Sequence, residues 1–412
     1  MEDSIGEAVD GRQMRGFKDF YQFQAPTRVI AGRSLIEGTG FEFAKEGATR
    51  VLIVTDGIIH ATGLIDRVRA GLEDGGLEVA GVYDQVPPDS DSAVVSATAA
   101  AGHEHGADSI LAVGGGSLMD TAKSANVIFT HGGEPRDWEG YYGLPRDGDG
   151  LGRPHDLAPL ACIPTTCGTG SEASFAAVIK DREEHIKFQI GDFPLYPRLA
   201  ILDPESTRTL PPKIAAATGM DAMSHAIEGY VSSEWSPHGD ACALQALRLL
   251  RENLQRAVET PEDEAARGNM LIAANLAIQP TSTGAIGITH SMSHPCGAQF
   301  DVPHGVANAI NLPWVIEWNA AGGDDVAGRY RDLGELLGLE VGGSGEAIGH
   351  ALAEYVRGVV RGLGLPTRLS EVGVPEAAIP ELVEGAMGDG CTLVNPVEPS
   401  EEDFAALYRR AL

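Results

Sequence analysis

The sequence predicts an α/β N-terminal domain on a largely parallel sheet, followed by an all-α C-terminal domain. Short β-branched or aliphatic runs alternate with amphipathic, alanine-rich stretches through the first half, the pattern of strands joined by crossover helices. After "LDPESTRTLPP" (202–212) helical periodicity continues with little strand signal. The 412 residues exceed one ordinary core and suit two domains. We therefore expect a loose tail over 1–15, an α/β domain over 16–206 and a helical domain over 207–412.

Within the first domain, strands are expected at "RVLIVT" (50–55), "EVAGVYD" (78–84), "SILAVG" (109–114), "LAPLACIP" (157–164) and "RLAILD" (198–203). Stretches 61–73, 92–105 and 118–127 read as the helices between them, and "DGDGLGRPHD" (147–156) reads as an exposed loop. In the second domain Thr260, ahead of Pro261, reads as a hydroxyl N-cap with proline at the first helical position. Ser400 with Asp403 three residues on resembles a capping box.

Composition narrows the partners. The chain carries 59 acidic against 30 basic residues, a net charge of -29, and such a surface repels phosphate backbones and anionic membrane faces. Neither nucleic acid nor a membrane is expected as a partner. Five scattered cysteines without a C-x-x-C pair point to free thiols in a reducing compartment. The acidic start "MEDSIGEAVDG" lacks the apolar core of a signal peptide, and no run of about 20 apolar residues occurs, so a cytoplasmic location is expected.

Two glycine- and hydroxyl-rich turns follow strands. "GGGSLMD" (114–120) lets a backbone approach a ligand closely and leads into a helix whose N-terminal amides suit a pyrophosphate; the same turn also serves as a plain tight connection. It is not the G-x-G-x-x-G fingerprint. "IPTTCGTGSE" (163–172) supplies hydroxyls and small residues able to line a nucleotide. Asp56, just past the first strong strand, can bind the 2'-hydroxyl of an NAD ribose and repel the phosphate of NADP, or it simply makes a turn before Gly57.

The second domain holds the residues with metal chemistry. "ATGMDAMSHAIEGY" (217–230) sets Asp221 and His225 four apart, on one face of a helix. His290 and His294 share that spacing in "GITHSMSHPCGAQFDVPHG" (287–305), and His304 follows Pro303. One Asp/His pair is more often a solvated or capping arrangement. Two such pairs with the P-H-G element suit an open divalent-metal site.

These stretches, with a closing "DGCTLVNP" (389–396), occur in the order and spacing of a known family. Over about residues 18–412 the chain resembles the iron-containing (group III) alcohol dehydrogenases, the type that includes lactaldehyde reductase and 1,3-propanediol dehydrogenase. The resemblance implies a dehydroquinate synthase-like fold, with an α/β dinucleotide-binding domain, a helical domain and the site in the cleft between them. It implies Asp221, His225, His290 and His304 as metal ligands and His294 as a proton relay beside the nicotinamide. Asp56, Gly114, Gly115, Gly116, Ser117, Asp120, Thr165, Thr166 and Lys187 fall where the family contacts NAD or closes its pocket. Cys391 matches a cysteine facing the metal side. NAD and a divalent metal, iron first and zinc second, are the implied cofactors, a small primary alcohol or aldehyde the substrate, and a homodimer or larger homo-oligomer the assembly.

The pocket departs from the lactaldehyde-reducing members. Ala176 stands where they carry asparagine, and Thr281, Ser282 and Thr283 where they carry Phe-Ser-Asn, which implies a roomier pocket with different hydrogen bonding. The alternatives are another oxidoreductase of this fold, of maleylacetate reductase or polyol dehydrogenase type, and a non-catalytic nucleotide or metal sensor. Retention of Asp221 with all three histidines argues against a metal-free enzyme and against a damaged site.

Overall fold

The structure is a computed structural model. It describes residues 20–147, 154–184, 186–283 and 286–412, with the side chains of Ser282 and Thr283 left out. The expected tail over 1–15, most of the loop over 147–156 and the pocket role of Thr283 therefore lie outside the described residues.

The main sheet is formed by β1 (Arg28–Ala31), β2 (Arg50–Val54), β3 (Glu78–Tyr83), β4 (Ser109–Gly114), β6 (Leu160–Pro164) and β9 (Leu199–Leu202). Its order is β1-β9-β6-β4-β2-β3 and every pairing is parallel. Strands β4, β6 and β9 are buried at every position, as near-continuous apolar runs covered on both faces must be. Alternation sorts the side chains. Ile53, Val113, Ile163 and Ile201 pack toward α1 (Thr39–Ala44) and α3 (Leu64–Asp74), while Val54, Ala112 and Cys162 pack on the other face against Leu118, Met119 and Ala122 of α5 (Gly116–His131).

Five of the six strands coincide with the sequence reading. β1, a four-residue edge strand, was too short to register as a pattern. The expected helix at 61–73 is broken: α2 (Gly57–Ala61) stops and α3 begins after Gly63, whose φ of 81° is a left-handed conformation suited to glycine. A second helix, α4 (Ser92–Glu104), matches its expected place. A small sheet of β5 (Gly140–Tyr141), β7 (Ala176–Asp181) and β8 (Ile186–Gly191) adds a hairpin absent from the expected elements. It packs Ala177, Ile179, Phe188 and Ile190 against α4 and α5.

The rest is helical: α6 (Pro212–Val231), α7 (Pro237–Glu259), α8 (Glu264–Ile278), α9 (Ile288–Phe300), α10 (His304–Ala320), α11 (Asp324–Leu336), α12 (Gly345–Gly362), α13 (Ile379–Met387) and α14 (Glu401–Ala411) share one apolar core. The last strand ends at Leu202 and the first long helix begins at Pro212; a domain division near residue 207 is our proposal. Ser400 and Asp403 form the expected capping box of α14. Thr260 does not cap a helix start. It ends α7, and Asp263 caps α8 by accepting from the Ala266 amide at 2.9 Å. The carboxylate three residues further on reaches the free amide, so it displaces the hydroxyl. Among the described residues no helix is long and apolar enough to cross a membrane.

Candidate active site

Three helices deliver the histidine cluster. α6 carries Asp221, His225 and Glu228 on one face, since positions i, i+4 and i+7 superpose. α9 carries His290 and His294, and α10 begins at His304 behind Pro303. Asp221 Oδ1 lies 3.4 Å from His304 Nε2, 3.6 Å from His290 Nε2 and 3.9 Å from His225 Nε2. Donor atoms of Asp221, His290 and His304 fall within 4.8 Å of one another. The amide nitrogen of Asn308 sits among them, 2.8 Å from Asp221 Oδ1, 3.1 Å from His290 Nε2 and 3.2 Å from His304 Nε2. The buried Asn308 Oδ1 has no hydrogen-bond partner.

Charge states follow from this burial. Burial favours the neutral form of Asp221, yet the surrounding imidazoles of His225, His304 and His290 hold its carboxyl well below the usual range. Burial pushes His225 down to about 4 and His304 well below its ordinary value, so both are neutral imidazoles. Burial also opposes charge on His290, but hydrogen bonds to Asp221 and Glu228 raise it to about 9. An ionised carboxylate beside the neutral imidazoles of His225 and His304, with His290 drawn in between Asp221 and Glu228, converges on a point that attracts positive charge. This donor set fits a divalent cation, whose binding would displace the proton on His290 Nε2.

His294 stands beside this group. Its ring stacks on His304 with centroids 5.3 Å apart, and its Nδ1 lies 2.6 Å from Asp389 Oδ2. Asp389 also accepts from the Cys391 amide at 2.8 Å. Burial and the adjacent Asp389 push the Cys391 thiol up, which keeps it protonated.

The nucleotide-like turn lies at the carboxyl edge of the parallel sheet. Gly115, between β4 and α5, has no side chain with which to cap the helix. A Cβ at Gly116 would meet Thr169 Cγ2 at 2.4 Å, so only glycine allows this approach. Thr165 donates its amide to the Gly114 carbonyl at 2.9 Å and Thr166 packs beside Gly115. Asp56 follows β2, the neighbour of β4, where chain connections depart to opposite sides; ligands of open α/β sheets bind at such a switch point. Its Oδ1 accepts from the Ile59 amide at 2.8 Å, so the turn reading of Asp56 also holds.

A cavity of about 240 Å³ joins the two regions. Asp221, His225, His290, His294 and His304 line it together with Gly116, Ser117, Asp120, Lys187, Ala176, Thr281 and Cys391. Asp56, Gly114, Gly115, Thr165 and Thr166 are not among its lining residues. Asp120 accepts from Ser171 Oγ at 2.6 Å and from the Val178 amide at 3.1 Å, which ties α5 to β7. Lys187 Nζ lies 3.3 Å from Asp89 Oδ1. Buried Lys123 donates to Ser174 Oγ and the Ala176 carbonyl, both at 2.9 Å, and so fixes the strand that presents Ala176. Sequence reasoning missed Glu228, Asn308 and Asp389. The first two share helical faces with Asp221 and His304, a signal that was legible; Asp389 opens the quoted DGCTLVNP motif, but nothing local joined it to His294.

A parallel sheet whose carboxyl edge opens into a cavity with a carboxylate–imidazole cluster suits a metal- and nucleotide-dependent enzyme. Comparison with known proteins makes that class an oxidoreductase. Residues 26–204 match the iron-containing alcohol dehydrogenase family and residues 215–412 match the C-terminal part of the Fe-containing alcohol dehydrogenase family. The NAD-dependent methanol dehydrogenase of Bacillus methanolicus is 34% identical over 396 residues, 95% of this chain and 99% of that protein. The lactaldehyde reductase of Escherichia coli (strain K12) is 35% identical over 381 residues, 92% of this chain and 96% of that one. A crystal structure of a 1,3-propanediol oxidoreductase superposes with a TM-score of 0.89 at 31% identity, covering 95% of this chain and 100% of the other. The chain belongs to the iron-containing alcohol dehydrogenase family, as the sequence motifs led us to expect.

Proposed function

We propose that the protein is an NAD- and divalent-metal-dependent alcohol dehydrogenase or aldehyde reductase for small primary alcohols and aldehydes, with iron the first candidate metal and zinc the second. The shared cavity carries this reading, because the carboxylate and imidazoles line the same space as Gly116 and Ser117 of the nucleotide-like turn. Asp221, His225, His290 and His304 are the donors that would hold the cation. When bound, the cation supplies Lewis-acid polarisation of the substrate oxygen, and the nicotinamide accepts or returns hydride.

The chain's own residues bind, orient and exclude water. The bare backbone at Gly115 and Gly116 and the amides opening α5 suit a pyrophosphate. Asp56 keeps its second carboxylate oxygen for ribose hydroxyls, which disfavours a 2'-phosphate. Asp389 fixes His294 through Nδ1 and leaves Nε2 for proton exchange at the cavity. Tyr141, Phe175 and Ile278 supply apolar wall. Thr281 directs its hydroxyl to the Ile278 carbonyl at 2.6 Å, and Ala176 has no polar side-chain atom, so neither offers a donor to a second substrate hydroxyl. A homodimer or larger assembly in the cytoplasm completes the reading, in keeping with five free cysteines.

The test is NADH oxidation with short aldehydes, using protein stripped of metal and reloaded anaerobically with Fe(II) or Zn(II). Turnover returns only with metal, and His290→Ala loses metal and turnover while NADH still binds. Turnover by His290→Ala with stoichiometric metal refutes the ligand assignment.

A further inference from the structure

We propose that Glu228 is a positioning residue for the metal centre: from α6 it caps α9 and fixes His290 so that Nε2 faces Asp221. The inference rests on the metal-dependent reading above. The Glu228 side chain is 2% exposed. Its Oε1 accepts from the Thr289 amide at 2.6 Å and its Oε2 lies 2.5 Å from His290 Nδ1. One carboxylate therefore satisfies an orphan amide of the α9 first turn and makes Nδ1 a committed donor, which leaves Nε2 as the nitrogen that would ligate a cation.

The surroundings support a purpose beyond capping. The N-cap position of α9 is Gly287, which makes no side-chain cap. A serine there is the ordinary solution and needs no buried charge. A Cβ at Gly287 would stand 2.7 Å from Glu228 Oε1 and 3.1 Å from Asn395 Oδ1, so the glycine makes room for the carboxylate. Capping needs only one carboxylate oxygen; the other is committed to the imidazole. Carboxylates placed behind ligating imidazoles fix the tautomer and ring orientation and raise the basicity of the ligating nitrogen.

The test is equilibrium titration of the metal-stripped full chain with Zn(II) against a chelating indicator, for wild type, Glu228→Gln and Glu228→Asp. Glutamine keeps the shape but places an N–H donor against one of two existing donors. We expect its zinc affinity to fall about 10- to 100-fold, with NADH affinity unchanged. Glu228→Asp keeps the charge on a side chain one methylene shorter and falls between; it is the variant read if the glutamine protein fails to unfold cooperatively. A lowered unfolding temperature of the metal-stripped variants with undiminished zinc affinity shows a cap alone and overturns the inference. Wild type that binds no zinc or iron overturns the metal-dependent reading itself, a separate result.

Discussion

Replacing Gly305 with alanine tests whether helix packing sets the donor distances. Gly305 follows His304 in α10, and an ideal Cβ there would stand 2.1 Å from the carbonyl oxygen and 2.6 Å from the carbonyl carbon of Ala217 in α6. Both obstacles are helical backbone, which cannot rotate aside as a flexible side chain does. Ordinary contact begins at 3.4 Å, so the helices must separate locally by about 1.3 Å. Ala217 lies one turn before Asp221, so the shift falls on the Asp221–His304 separation, now 3.4 Å. Overpacking of this kind costs about 1–3 kcal/mol of stability. A 1 Å misplacement of reacting groups costs on the order of 100-fold in rate. We expect weaker zinc binding by titration and a kcat/KM lower by about that factor, in a protein that still unfolds cooperatively. Gly358→Ala, with nothing within 4 Å of its ideal Cβ, is the control. Wild-type metal affinity and kcat/KM in Gly305→Ala would refute the idea that the α6–α10 approach positions the donors.

Two further substitutions probe the cofactor edge and the helical core. Asp56→Gly should move the ratio of kcat/KM for NAD and NADP toward NADP, with only a few tenths of a kcal/mol lost from the α2 cap; an unchanged ratio removes Asp56 from the cofactor site. Burial opposes the charge on Glu317, but hydrogen bonding and charge from Arg357, with charge from Arg410, hold its carboxyl below the ordinary value. That stability is present above the unfolded value of about 4.3 and is lost as pH falls through the folded value. The difference in unfolding temperature between wild type and Glu317→Gln should therefore be largest near neutrality and close at acid pH; a difference independent of pH refutes the ionic origin.

Legibility depended on the range of the interactions. Strands β2, β4, β6 and β9 declared themselves because a buried parallel strand must be apolar over nearly all its length, and the half-buried edge strand β3 through its β-branched and aromatic residues. The hairpin of β7 and β8 carries Lys180, Asp181, Lys187 and Gln189 among its apolar residues and is joined through contacts to α5, so its sequence alone placed no sheet. Thr260 misled because two residues competed to cap one helix, and the winner depended on which oxygen met the amide. Glu228 lay in view on the α6 face, but its partner His290 is 62 residues away, and Asp389 is 95 residues from His294.

The sequence by itself determined the α/β-then-helical order, the family and the spacing that puts Asp221 with His225 and His290 with His294 on shared helix faces, since these depend on neighbouring residues and helical periodicity. Only the tertiary structure decided that α6, α9 and α10 bring those faces within 4 Å of one carboxylate oxygen, and that Glu228, Asn308 and Asp389 stand behind them. Those distances are set by backbone contacts such as Gly305 against Ala217, and close packing between helices remote in the chain has no local signature.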